Sequence, residues 1–227
     1  MHLTVSYDPA KDAENHVRAI FDAAYTSRGR GDMRERLLPG VRLEAVRAAL
    51  VEGGERDVVL AKVTDLLAAA PDCAAIESGG VTSLENAWAK FGDQVIFQIE
   101  ALYGRDWPFE SVHVDLTTLS ICPYNFKERR IFVHYKDSSP SGLREQLRIL
   151  SHELNHFMFY TVYAEELSEK LDREKFELLK ESVTIFTNPE WSGSPDEEPL
   201  RKLYIEKRAR TLDEAVRVGV EFLMVKQ

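Results

Sequence analysis

Two histidines four residues apart, with a glutamate directly after the first, form the segment of this chain best equipped for chemistry. They are His152, Glu153 and His156 in RILSHELNHFMFY, residues 148–160. An α-helix advances about 100° per residue, so side chains four apart share a face and both imidazoles can point at one ion. Glu153 is one step from His152 and three from His156, beside that ion without being forced to bind it. The H-E-x-x-H spacing suits a zinc ion with two ring-nitrogen ligands and a carboxylate as general base. Zinc lowers the pKa of a bound water to about 7. The carboxylate then takes the proton as the water attacks a carbonyl carbon. Leu147, Leu150, Leu154, Phe157 and Phe159 flank the motif, so part of its helix is buried. Polar groups in an apolar turn need partners, and an ion is the simplest one. The plain alternative is a pair of core histidines satisfied by protein atoms.

A catalytic zinc typically has three protein ligands and a water. The downstream candidates for the third are Glu165, Glu166, Glu169, Glu174, Glu177 and Glu181. In DREKFELLKESVTIF, residues 172–186, the apolar face is built by Phe176, Leu179, Val183 and Phe186, with Leu178 and Ile185 at one edge. Glu181 borders that face, while Glu177 is expected to point to solvent. Periodicity therefore favours Glu181, with Glu177 and the others as alternatives.

HELNH followed by a second helix carrying a glutamate, LLKESVT, resembles the gluzincin group of HExxH zinc metallopeptidases, the thermolysin-like clan. The resemblance covers residues 129–187. It implies that His152, His156 and Glu181 bind one Zn2+, that Glu153 is the base, and that the substrate is a peptide or protein. It also implies a zincin-like fold in which an antiparallel edge strand precedes the motif helix and docks substrate by strand addition. RRIFVHYK, residues 129–136, lies at that place. The interval from His156 to Glu181 is longer than in thermolysin itself, and Lys180 precedes Glu181 where that family's second motif begins Asn-Glu. The longer HExxHxxGxxH pattern is absent, since Phe159 and Val162 stand at the places of its Gly and His. That excludes the metzincin group.

Acyl hydrolysis also needs a donor for the oxyanion. Tyr160, Tyr163, Tyr204 and His134 are the candidates, and the sequence does not choose between them. Asp172, Thr184 and backbone carbonyls are candidates to orient the histidines from behind.

The elements that must position these groups follow from local pattern. Residues 1–105 read as a helical N-terminal region. Asp8 is a possible cap before Pro9, Val59, Leu60, Val63, Leu66 and Leu67 repeat at helical spacing, and Thr82 with Glu85 makes a possible capping box before a long helix closed by Gly104. Residues 106–227 read as a zincin-like catalytic region, or the whole chain as one compact domain. SVHVDLTTLSI and RRIFVHYK are read as strands of a short, mainly antiparallel sheet. Ser139 and Pro140 open the motif helix, which is expected to run to about Tyr163. Asp172 starts the next helix, and Thr211 with Glu214 caps the last. The expected fold class is α+β, mostly helical.

Bulk composition narrows the partners. Acids outnumber bases 38 to 29, for a net charge of −9, which argues against nucleic-acid binding. Cys73 and Cys122 lie far apart and outside any CxxC, so neither a disulfide framework nor a thiolate zinc site is expected. The N-terminus lacks a basic segment followed by an apolar run, and no stretch of about 18 apolar residues occurs. A cytoplasmic setting with no membrane partner is the expectation. Arg30–Asp32 spells RGD, read as a loop accident, and His2, His16 and His113 are isolated. The rival to a peptidase is a zincin-like protein that acts by binding, or that cuts a single protein partner.

Overall fold

The computed structural model describes residues 1–21, 38–189 and 193–225. The RGD triplet lies outside them. Among the described residues helix dominates, with one four-stranded sheet. The fold divides into two compact units, each discontinuous in sequence. One, the sheet unit, comprises His2–Lys90 and Glu110–Leu150. The other, the motif unit, comprises Phe91–Phe109 and Ser151–Gln227 together with Met1.

The sheet unit begins with a strand, β1 (His2–Ser6), where a helical start was expected. HLTVS alternates in burial, with Leu3 and Val5 inward. Helix α1 (Pro9–Phe21) follows, opened as expected by Asp8, whose carboxylate accepts from the backbone N–H of Ala10 at 2.9 Å. Helices α2 (Glu44–Glu52) and α3 (Arg56–Ala69) are separated by Gly53 and Gly54, both at positive φ. The buried residues Ala13, Val17 and Ile20 of α1 and Val59, Val63 and Leu67 of α3 recur at helical spacing, and these two helices pack together. A short α4 (Pro71–Ala75) and a π-helical turn at Ile76–Gly80 lead into α5 (Val81–Tyr103). Thr82 is therefore inside a continuous helical stretch and not at a free N-terminus. Gly104 ends α5 at φ 61°, as its position suggested.

Strands β2 (Ser111–Thr117), β3 (Tyr124–Asn125) and β4 (Arg130–His134) complete the sheet in the order β1-β2-β4-β3. This corrects two expectations. The sheet is mixed and not mainly antiparallel: β1 pairs β2 in parallel, with Val5 opposite Val114, and β2 pairs β4 in parallel, with Val114 opposite Ile131. Only β3 and β4 are antiparallel, over two residues. Nor is β4 an edge. Beyond β3, the Phe132 N–H donates to Pro123 O at 2.8 Å and the His134 N–H to Cys122 Sγ at 3.3 Å, so residues 122–125 cover its far side. Val112, Val114, Leu116, Ile131 and Val133 are buried and lie two residues apart, so they share one face of their strands.

Helix α6 (Pro140–Ser168) carries the motif and runs past the expected end at Tyr163. Ser139 caps it, its hydroxyl accepting from the Gly142 N–H at 3.1 Å. In the motif unit, α7 (Arg173–Ser182) is capped by Asp172, which accepts from the Lys175 N–H at 2.8 Å, and a 3₁₀ turn at Val183–Phe186 continues it. Helices α8 (Glu198–Glu206) and α9 (Leu212–Val225) follow. The box at Thr211 and Glu214 forms as expected, with both reciprocal bonds present. Cys73 and Cys122 form no disulfide. Among the described residues, no helix is long and apolar enough to cross a membrane.

Candidate metal centre

The motif turn of α6 is held from several sides within its unit. Asn155 is fully buried, and the Tyr103 hydroxyl donates to its Oδ1 at 2.7 Å. Phe157 meets Phe109 edge-on, with centroids 6.0 Å apart, and Phe109 meets Trp107 in the same way at 5.5 Å. Phe159 packs against Phe176 of α7 at 5.6 Å and against Tyr163 at 5.1 Å. Tight interlock of this kind fixes side-chain positions to fractions of an ångström. Helix α9 supports α7 by close approach at Gly219, where any Cβ would run into Leu179 and come within 3.0 Å of the Tyr204 hydroxyl.

That packing brings His152, His156 and Glu181 together. The two Nε2 atoms are 3.0 Å apart. Glu181 Oε2 lies 3.5 Å from His152 Nε2 and 3.3 Å from His156 Nε2. Three corners of a zinc tetrahedron, with metal–ligand bonds of about 2.0–2.1 Å, stand about 3.3–3.4 Å apart. Two nitrogens and one carboxylate oxygen therefore form a triangle of the size a zinc face requires. Both histidines are buried, while the Glu181 side chain keeps 22% of its surface exposed and forms the group's outlet to solvent. Glu153 is buried with its Oε2 at 4.0 Å from His156 Nε2, beside the triangle and not part of it.

Burial and neighbouring charges shift all four groups. Burial pushes His156 down to about 3, so its ring is neutral and offers a lone pair. Burial opposes charging His152 as well, but its bond to Glu181 and the charges of Glu153 and Glu181 outweigh this and raise it above the ordinary imidazole value. Burial would raise Glu181, yet His156 and Lys180 beside it hold its carboxyl well below the usual range. Burial also pushes Glu153 up to about 7.

One residue behaves differently from its sequence reading, and its neighbour Lys180 was not singled out. Glu177 does not face open solvent. It is four residues before Glu181, hence on the same side of α7, and it accepts from the Tyr160 hydroxyl at 2.7 Å and from Lys180 at 2.7 Å. Lys180 is 1% exposed, and its ammonium is also 3.3 Å from Glu181 Oε1. The signal was present in the sequence: Lys180 falls in the stripe Phe176, Leu179, Val183, where an apolar residue would ordinarily stand.

The three tyrosine candidates for the oxyanion are each engaged with another side chain. Tyr160 serves Glu177, Tyr163 donates to Asp213, and Tyr204 is buried against the Ser182 hydroxyl at 2.7 Å. His134 belongs to the sheet unit. Asp172 is spent as the α7 cap, and the Thr184 hydroxyl donates to Glu181 O at 2.7 Å. Comparison with family models, with characterised proteins and with solved structures returns no match to this chain.

Proposed function

We propose that the protein is a zinc-dependent peptidase in which His152, His156 and Glu181 hold one zinc ion and Glu153 is the general base. The observation that carries this reading is the triangle of 3.0, 3.3 and 3.5 Å with Glu153 set just outside it. A zinc ion there would supply Lewis acidity, lowering the pKa of a bound water to about 7 and polarising a carbonyl. Glu153, buried and near neutrality, suits the taking of a proton from attacking water and its return to the leaving amine nitrogen. His152 and His156 act as neutral donors, and Glu181 brings the one fixed negative charge. A peptide or protein substrate, and a zincin relationship, are inferred from the motif helix and the glutamate helix alone.

Zinc content and turnover test the reading together. Purified protein should carry about one zinc per chain. Glu153→Gln should keep that zinc and lose hydrolysis of a mixed peptide library by about 10²–10⁴-fold. Protein that is folded and refuses zinc would overturn the proposal.

One observation favours a second reading, a zincin-like binding protein without turnover. The hydroxyls of Tyr160, Tyr163 and Tyr204 are each committed to another side chain, which leaves none of the three tyrosines placed for an oxyanion. Retained zinc with no cleavage of peptides or intact proteins would establish it.

A further inference from the structure

We propose that Lys180 is a positioning residue that makes Glu181 a ligand through one oxygen only, an inference that rests on the zinc reading above. The two oxygens of Glu181 have different surroundings. Oε2 faces His152 and His156, while Oε1 is 3.3 Å from the Lys180 ammonium. That ammonium is in turn 2.7 Å from Glu177 Oε2, and Glu177 Oε1 takes the Tyr160 hydroxyl at 2.7 Å. Lys180 Nζ also lies 5.7 Å from the centre of the Tyr160 ring. The chain Tyr160–Glu177–Lys180–Glu181 thus starts on α6, one turn beyond His156, crosses to α7, and ends on the carboxylate of the donor group.

A buried ammonium persists only where carboxylates and hydrogen bonds compensate its lost hydration. Lys180 sits in the apolar stripe of α7 at 1% exposure, where a leucine would bury apolar surface at no such cost. Its arrangement has a consequence for coordination. With Oε1 held by Lys180, Glu181 offers Oε2 alone, the protein contributes three atoms, and the fourth position stays open for water or substrate, as a catalytic site requires. With that hold removed, Glu181 is free to rotate and chelate with both oxygens, which adds a fifth atom around zinc and crowds the water position.

Zinc-edge X-ray absorption on protein loaded with one equivalent of zinc reads this directly, alongside zinc affinity by competition with a chromogenic chelator. Lys180→Met should raise the coordination number at zinc by one and weaken binding about 10–100-fold, the range found for outer-sphere partners. Lys180→Gln, whose amide can still donate to Oε1, should restore the wild-type coordination number. If Lys180→Met does not fold, as far-UV circular dichroism would show, Lys180→Met with Glu177→Gln removes the carboxylate charge that has lost its ammonium and reads the same quantity. A folded variant lacking the ammonium, with wild-type coordination and affinity within about twofold, would overturn the role of Lys180 while leaving the zinc site intact. Wild-type protein that takes up no zinc would overturn the zinc reading and this inference with it.

Discussion

The Nε2 atoms of His152 and His156 face each other at 3.0 Å, with ring planes 80° apart, and Glu181 Oε2 lies within 3.5 Å of both. Lone pairs cannot confront each other at that range unless a proton or a metal cation stands between them. In the metal-free protein the N–H of one neutral ring can stand there, and the raised affinity of His152 for a proton adds a further one to the group. Zinc uptake should therefore expel it, since metal ligands bind deprotonated. Calorimetric titration near pH 6.5, in buffers of different ionisation enthalpy, is expected to show on the order of one proton or more released per zinc, with affinity rising as pH rises. Zinc binding with no proton release would show that the ring nitrogens are not its ligands.

Glu153 gives a stability prediction for the metal-free protein. Its folded carboxyl is pushed up to about 7 from an ordinary 4.5. The folded state therefore prefers the proton. This contribution is fully present below about pH 4.5 and is lost as pH rises through 7. Gln mimics the protonated acid without titrating. Metal-free Glu153→Gln should match wild type at pH 5 and exceed it by about 1–3 kcal/mol at pH 8.5 in urea unfolding. Equal stability at both pH values would contradict the burial of an ionisable carboxyl there.

His134 titrates in the opposite sense. Burial, with Lys136 and Arg42 nearby, pushes it down to about 4 from 6.5. The folded state prefers the neutral ring, so its contribution is complete above pH 6.5 and falls away as pH drops toward 4. A non-titrating His134→Gln variant should lose less stability than wild type across that interval, by up to about 3 kcal/mol. Parallel pH profiles of the two proteins would refute it.

Gly219 is a packing prediction. A side chain there meets Leu179 and the Tyr204 hydroxyl, both buried. Gly219→Val should cost about 1–3 kcal/mol by overpacking, even though glycine is the poorer helix former. It should also lower zinc affinity by shifting α7. Leu179→Ala in the same chain should recover part of the stability. Thermal melts and chelator competition check both, and a variant as stable as wild type would mean that α9 does not press on α7.

Local pattern carried a great deal of this. The spacing of His152 and His156, the border position of Glu181, and the caps at Asp8, Ser139, Asp172 and Thr211 depend on neighbours within one or two turns, so periodicity and capping chemistry display them. The sheet was less legible. β1 is five residues long, and its partner β2 lies over a hundred residues downstream. Parallel pairing leaves no turn signal between partners, so HLTVS and SVHVDLT carry nothing local to show that they are neighbours.

That two imidazoles and a carboxylate share one helical turn is written in the order of residues 152–156, because 3.6 residues per turn leaves no alternative once the helix forms. Which carboxylate completes the group, and what stands behind it, is settled by packing. Glu177 and Glu181 occupy the same side of α7, so only the docking of that helix against Phe159 and Gly219 sends Glu181 to the histidines and Glu177 to Tyr160 and Lys180. An ammonium in an apolar stripe reads as an error until its two carboxylate partners are in place, and those partners are set by contacts between helices, which no single-helix pattern contains.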